Sequence, residues 1–404
     1  MSEILASFWD NFRHNLFKPL LLFFYMGFLV PILKVPFEFP YQVYQGLTIF
    51  LLVSIGWKGG EELASLKPEE LKQALGFMLV GFITNFIIGI IAYVVLRGGT
   101  RLRKIDAATV AGYYGSDSAG TFATAVGVLG TVGLSFAAYM PVMLAIMEIP
   151  GCLVALFLVS KLRLTGMDPL GNMPGEAGYN PLAAKAAPLA GDHGAHAAAA
   201  HGDHAGLSAA TLEKDRKQFL GFINFKLLHE LFLNQGLYLL LGGILIGFVS
   251  RFQGEKVSAV DDPLFISLFQ GLLCLFLLEM GITACQRLRD LKMGGWPFVA
   301  FAIIAPNVFA TFGMTVAHVY SAAIGEPFEI GTYVIFAVLC GAASYIAVPA
   351  IQRLAIPEAS PTLPLAASLG CTFSYNVTIG IPVYIEIAKL LMKAFPVGGE
   401  ALSS

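Results

Sequence analysis

The stretch AGYYGSDSAGT, residues 111–121, decides how this chain folds. It lies inside an apolar segment at 107–129, close to the roughly 20 residues that a helix needs to cross a bilayer. Yet it holds three glycines, two serines, a threonine and a carboxylate. A helix facing lipid would not tolerate this. Non-helical backbone at membrane depth survives only where its freed N–H and C=O groups are buried in protein or line a wet cavity, so the interruption itself marks a site. Ser116, Asp117 and Ser118 are therefore expected where two half-helices meet, with solute and ion bound beside them.

The whole chain supports a membrane reading. Of 404 residues, 56% are hydrophobic and 13% charged, which excludes an ordinary soluble domain and a disordered chain. A net charge of -2, with no basic cluster interleaved with aromatics, gives no argument for nucleic acid. The five cysteines are single and mostly lie in apolar segments, and they read as small core residues. The N-terminus lacks the pattern of a cleaved signal peptide.

Apolar segments of spanning length fall at 18–34, 41–57, 72–96, 107–129 and 134–160, and again at 222–249, 263–283, 294–321, 330–350 and 363–391. The stretch between the two sets is rich in Ala, Gly, Pro and His, and reads as a flexible linker. The expected organisation is a first five-helix repeat at 1–161, a linker at 162–219 and a second repeat at 220–404. The two sets resemble each other. Tyr44, Gln45, Gly46 and Leu47 recur as Phe269, Gln270, Gly271 and Leu272, and Gly56 recurs as Gly281. Asn85 matches Asn307, the run 115–118 matches 341–344, and Ile149 and Pro150 match Ile381 and Pro382. An odd number of crossings per half inverts the second half. The expected fold class is thus an all-α polytopic membrane protein of ten transmembrane helices in two inverted five-helix repeats, broken in spans 4 and 9. Lys and Arg, notably Arg97 to Lys104 with Lys161 and Arg163, place the linker side in the cytoplasm and both termini outside.

Ionisable groups inside spans are few, and each needs a reason. Asp117 lies in the break of span 4. Glu148 precedes Ile149 and Pro150, and a proline frees a carbonyl about a turn earlier. A carboxylate with such carbonyls suits a small alkali cation, since hard cations take oxygen ligands. Asp117, Glu148, Asn85, Asn307, Thr121 and Asn376 form the expected sodium set, Asn376 standing where span 10 has no carboxylate to match Glu148. Glu279, in span 7, is a weaker candidate.

The second break is expected in LCGAASYIAVP at 339–349. If both spans are broken, the N-termini of two half-helices face each other at mid-membrane and make an anion seat without arginine. Gly115, Ser116, Ser118, Ala119 and Gly120 are expected to line it, with Ala343, Ser344 and Tyr345 opposite. Serine hydroxyls can donate to an oxyanion and accept from a protonated oxygen, which suits a small oxyanion that keeps a proton. The competing reading is that the glycines and serines only let helices pack closely. The linker run DHGAHAAAAHGDH at 192–204 holds four histidines, for which a solvated tether is the favoured reading over metal binding. His229 and His318 read as hydrogen-bonded core or interface residues. No nucleophile and base pair, HExxH or GxxxxGK[ST] occurs, so no enzyme is expected and no cofactor beyond sodium as coupling ion.

At this point the chain resembles the sodium-dependent bicarbonate transporter family. The resemblance rests on residues 112–120, on Met147, Glu148, Ile149 and Pro150, on 262–265, on Ala305 and Pro306, and on Arg353 with Ile356 and Pro357. It implies bicarbonate uptake coupled to sodium in an inner (plasma) membrane, in a homotrimer. It implies a core of spans 3 to 5 and 8 to 10 moving, elevator-fashion, against a scaffold of spans 1, 2, 6 and 7. It also implies a cytoplasmic PII-like protein as regulator. The chain departs from the family pattern at Asp117, where an apolar residue is expected, and at 341–345, where a serine run and an acidic residue are missing. A sodium–proton antiporter, a sodium symporter of another small anion and a membrane-embedded sensor remain as alternatives.

Overall fold

A computed structural model describes residues 17–182 and 235–397. The histidine run and His229 lie outside the described residues. No strand occurs among the described residues. The chain runs through α1 (Pro19–Leu33), α2 (Tyr41–Leu63), α3 (Pro68–Gly99), α4 (Lys104–Tyr114), α5 (Ala119–Val132), α6 (Met140–Met147) and α7 (Ile149–Leu164). It resumes with α8 (Gln235–Gln253), α9 (Phe269–Leu288), α10 (Trp296–Ile324), α11 (Ile330–Gly341) and α12 (Ala347–Ala355). Two π-helical stretches, Ala366–Phe373 and Asn376–Gly380, then lead into α13 (Ile381–Ala394). Among the described residues, five helical stretches are long and apolar enough to cross a membrane: Glu69–Gly99, Met140–Leu164, Gln235–Gln253, Pro263–Gly294 and Trp296–Ile324.

Glycines fix how two helix pairs meet, because only a residue without Cβ lets backbones touch. On α2, a Cβ at Gly56 would lie 2.5 Å from the Leu240 carbonyl of α8, and one at Gly60 would lie 2.1 Å from that of Ile244. On α9, a Cβ at Gly281 would lie 2.2 Å from the Phe24 carbonyl of α1. Gly27 of α1 faces Leu278 of α9 just as closely. Thus α2 packs on α8 and α9 packs on α1, a crossed exchange in which the matched residues Gly56 and Gly281 play the same part. The remaining described helices gather around α4 and α11, in which nearly every residue is buried.

The first part of the expected linker is folded rather than free. Met167 and Met173 are buried against Ile105, Val159 and Ile356, which gives the segment after α7 an apolar anchor. Asp168 then ties the turn, accepting from the backbone N–H groups of Leu170 (3.0 Å), Asn172 (2.8 Å) and Asn180 (3.0 Å). Burial raises the Asp168 pKa, but the hydrogen bonds outweigh it and hold the carboxyl below its ordinary value. The loop in turn presents the Leu170 carbonyl (2.9 Å) and Asn172 Oδ1 (3.4 Å) to Arg103, at the start of α4. Arg103 also pairs with Asp106 at 2.7 Å, and Asp106 accepts from Ser360 N at 2.8 Å. Arg163 of α7 grips Glu358, past the end of α12, at 2.8 Å. This polar clip binds the start of α4, the end of α7 and the turn after α12 into one unit.

Candidate functional site

Both expected interruptions are present. The first occupies 115–118, between α4 and α5. Gly115, Ser116, Asp117 and Ser118 compete with helix geometry, since short polar side chains favour caps and glycine gains most from leaving the helix. Ser118 is extended and caps α5, its Oγ accepting from Thr121 N at 3.3 Å and from Thr121 Oγ1 at 3.0 Å. With two bonds accepted, its own proton is left to donate elsewhere. The second interruption occupies 342–346, between α11 and α12. Pro349 falls in the first turn of α12, where its missing N–H costs nothing. The two breaks touch directly: Ser344 N donates to the Tyr113 carbonyl at 2.8 Å. Ser344 Oγ accepts from Val348 N, in the first turn of α12, at 3.4 Å.

A third irregularity faces the first break. Glu148 stands at the junction of α6 and α7, and Pro150 loosens the carbonyls before it. Those carbonyls are not idle. Met147 O accepts from Asn85 Nδ2 of α3 at 3.0 Å, and Glu148 O accepts from Ser116 Oγ at 2.5 Å. Glycines allow this closeness: a Cβ on Gly151 would stand 2.0 Å from the Gly112 carbonyl and 2.6 Å from Ser116 N. One on Gly115 would meet Gly89, Asn85 and Gly151. The packing reading of these glycines therefore holds for Gly112, Gly115 and Gly151.

Asp117 departs most from this pattern of satisfied groups. It is 0% exposed, and neither carboxylate oxygen has a hydrogen-bond partner. It lies within electrostatic reach of Glu148 and of the Cys340 thiol at the end of α11. Asn85 Oδ1 is likewise buried and unpartnered. An unpaired charge held away from water costs several kcal/mol, so the Asp117 carboxyl here either holds a proton or is met by positive charge from outside the protein.

The other expected residues divide. Thr121, Ala343, Ser344 and Tyr345 are buried, and Ala119 and Gly120 form the first turn of α5. The Tyr345 ring crosses to α5, where its hydroxyl stands on Gly120, 1.9 Å from where a Cβ would be. It comes near Ser118 but satisfies hydrogen-bond geometry to no protein group. Asn376 is buried with both ends in use: Nδ2 donates to Gly341 O at 2.9 Å and Oδ1 accepts from Tyr384 at 2.7 Å. Asn307 stands apart, half-buried beside exposed Ile303, Ile304 and Val308, and accepts from Tyr375 at 2.8 Å. Glu279 accepts from Thr283 of its own helix at 2.8 Å, and His318 meets the Tyr333 hydroxyl at 3.2 Å.

Sequence reasoning passed over the two tyrosines inside its own quoted stretch. Tyr113 donates to Gln352 of α12 at 2.6 Å. The Tyr114 hydroxyl pairs with Thr372 at 2.6 Å, and Thr372 donates onward to Ala302 O at 2.9 Å. A buried phenol needs a polar partner, which was the available signal, but the partners lie more than 230 residues away.

A family model described as the Na+-dependent bicarbonate transporter superfamily matches residues 19–389. No curated protein matches the chain.

Proposed function

The chain belongs to the Na+-dependent bicarbonate transporter superfamily, and from that premise we infer that it is a secondary transporter that imports bicarbonate with sodium. One observation carries the reading: at the crossing of two interrupted helices, a buried carboxylate has no hydrogen-bond partner among the described residues. Sodium matches this uncompensated charge. Asp117, Asn85 Oδ1 and the Glu148 carboxylate are hard oxygen donors, the type that alkali cations prefer. Sodium beside Asp117 neutralises that carboxylate, which lessens the repulsion of an anion at the first turn of α5. There the free N–H groups of Ala119 and Gly120 and the Ser118 hydroxyl proton can all donate. Anion affinity then rises with sodium, and by linkage sodium affinity rises equally with the anion.

Movement follows from how the helices are joined. The α3–α7 and α10–α13 groups form one core, tied at the polar clip and at the Ser344 to Tyr113 bond. The pairs α2 with α8 and α9 with α1 make the scaffold, within ten crossings arranged as two inverted halves. The seam between core and scaffold is largely apolar: Phe24 on Phe373, Pro141 against Gly59, Leu20 and Leu273 against Gly127. Lys18 Nζ to Thr131 Oγ1, at 2.8 Å, is a hydrogen bond that crosses it. Such a seam can slide without leaving many polar groups unpaired, as an elevator requires.

The test is labelled bicarbonate uptake into proteoliposomes under an inward sodium gradient, with potassium as the control. Accumulation above equilibrium is expected in sodium only. Equal uptake in potassium would end the reading. The neighbouring carboxylates Asp117 and Glu148 favour one rival, sodium–proton antiport, which the same vesicles would reveal as sodium uptake with proton release and no need of bicarbonate.

A further inference from the structure

A second polar feature lies outside the crossing, in the seam between scaffold and core. Ser54, Lys58 and Glu62 follow one another at intervals of four along α2, so they share one face of that helix. They line a cavity of about 140 Å3 whose other walls include Phe122 and Gly127 of α5 and Gln270 of α9. Phe122, which is buried and lines this cavity, is four residues beyond Ser118, one helical turn from the first break.

Ser54 is the telling residue. A helical serine or threonine commonly returns its proton to the carbonyl four residues back, as Thr48 of the same helix does to Tyr44 O at 2.9 Å. Ser54 is 1% exposed, yet its Oγ has no hydrogen-bond partner among the described residues. One turn outward stands Lys58, whose ammonium is only loosely engaged, 3.8 Å from Glu62 and 5.8 Å from the centre of the Phe136 ring. Glu62 lies two turns from Ser54. At the deep end of the cavity, the nearest formal charge on α2 is thus the cation, and the orphaned hydroxyl lies beneath it.

We propose that this cavity is an anion subsite, in which a small oxyanion rests between the Ser54 hydroxyl and the Lys58 ammonium before passing Phe122 to the helix break. The hydroxyl and ammonium both donate, which suits carboxylate-like oxygens, and the volume has room for such an anion with some of its water. The subsite rests on the reading of the chain as a carrier of a small oxyanion. It adds a waiting position on the scaffold side of the seam, separate from the seat on the core.

The test reads charge preference directly and needs no transport. Ser54→Cys, in full-length protein in proteoliposomes, is treated with an anionic sulfonatoethyl and a cationic trimethylammonioethyl methanethiosulfonate. Each rate is normalised to that reagent's rate with a free small thiol, and modification at position 54 is followed by peptide mass spectrometry. The expected result is a normalised preference for the anionic reagent that Lys58→Gln lowers at least about fivefold. Bicarbonate should slow the labelling, and should cease to do so in the Lys58→Gln background. An unreactive thiol at position 54, a preference for the cationic reagent, or a ratio that ignores Lys58 would each overturn the subsite. If bicarbonate uptake proves independent of sodium while Lys58 still sets the reagent preference, the transport reading falls and the subsite stands.

Discussion

The two helix interruptions look alike in outline and differ in chemistry. The break at 115–118 holds a carboxylate with no partner, opposite a second carboxylate at Glu148. The break at 342–346 holds none, and its backbone is drawn into the first by the Ser344 to Tyr113 bond. Their flanking carboxamides differ in the same sense. Asn85 spends its Nδ2 on Met147 O and leaves Oδ1 orphaned, whereas Asn376 is satisfied at both ends, by Gly341 O and Tyr384. The lesson is that a shared backbone device can divide labour. On the reading proposed above, the first break carries the cation, and the second completes the seat and braces it.

The strongest way to break that comparison is to remove charge from one side only. Asp117→Asn is expected to abolish the stimulation of bicarbonate uptake by sodium, a loss of about 5- to 150-fold if the coupling is worth about 1 to 3 kcal/mol. Glu148→Gln should act in the same direction. Ser344→Ala should instead raise the KM for bicarbonate and keep the sodium stimulation. Sodium titrations of uptake decide the matter, and unchanged sodium dependence in both carboxylate variants would remove them from the cation role.

Packing offers the next contrast. A Cβ at Gly151 would press on the Gly112 carbonyl at 2.0 Å, behind the first break, while one at Gly341 would meet the Pro306 carbonyl at 2.7 Å, behind the second. Gly151→Ala should therefore destabilise more than Gly341→Ala, each by about 1 to 3 kcal/mol or somewhat beyond. Thermal melting in detergent checks the order. Asn376→Ala should lower the melting temperature by leaving Gly341 O and Tyr384 without partners, at about 1 to 3 kcal/mol. Asn85→Ala, which also removes an unsatisfied oxygen, should cost less stability and more of the stabilisation that sodium gives to melting.

The smallest effect concerns the clip that holds the outer ends of the two interrupted helices together. Asp168 has its carboxyl held below the ordinary value, so its contribution is full at neutral pH and is lost as pH falls through that lowered value. Amide protection factors across residues 166–180, with the pH dependence of intrinsic exchange divided out, should fall on the acid side only, while the helices around Asp117 keep their protection. Protection factors in this loop that do not change with acidification would show that Asp168 does not hold it.

Much of the fold was legible because its signals are local. Long apolar runs announce helices for a bilayer, and glycine with serine inside such a run announces a break, whichever helices surround it. The matched pair Gly56 and Gly281 was visible as a repeat, though not that each faces a partner helix from the other half. The linker was misjudged at its start because Met167, Met173 and Asp168 carry no periodic pattern. They fold there because Ile105, Val159 and Ile356 offer an apolar floor.

By itself the sequence determined that this chain is helical and apolar, that it is interrupted in two matched places, and that Asp117 lies in one of them. Only the tertiary structure decided which polar atoms are spent and which are spare. Ser116 is spent on the Glu148 carbonyl and Ser344 N–H on Tyr113, while Asp117 and Ser54 Oγ are spare. The reason is physical: a hydrogen bond needs its partner within about 3 Å at a suitable angle. For these residues, any such partner stands on a helix far away in the chain, at a place that spacing along the sequence does not encode.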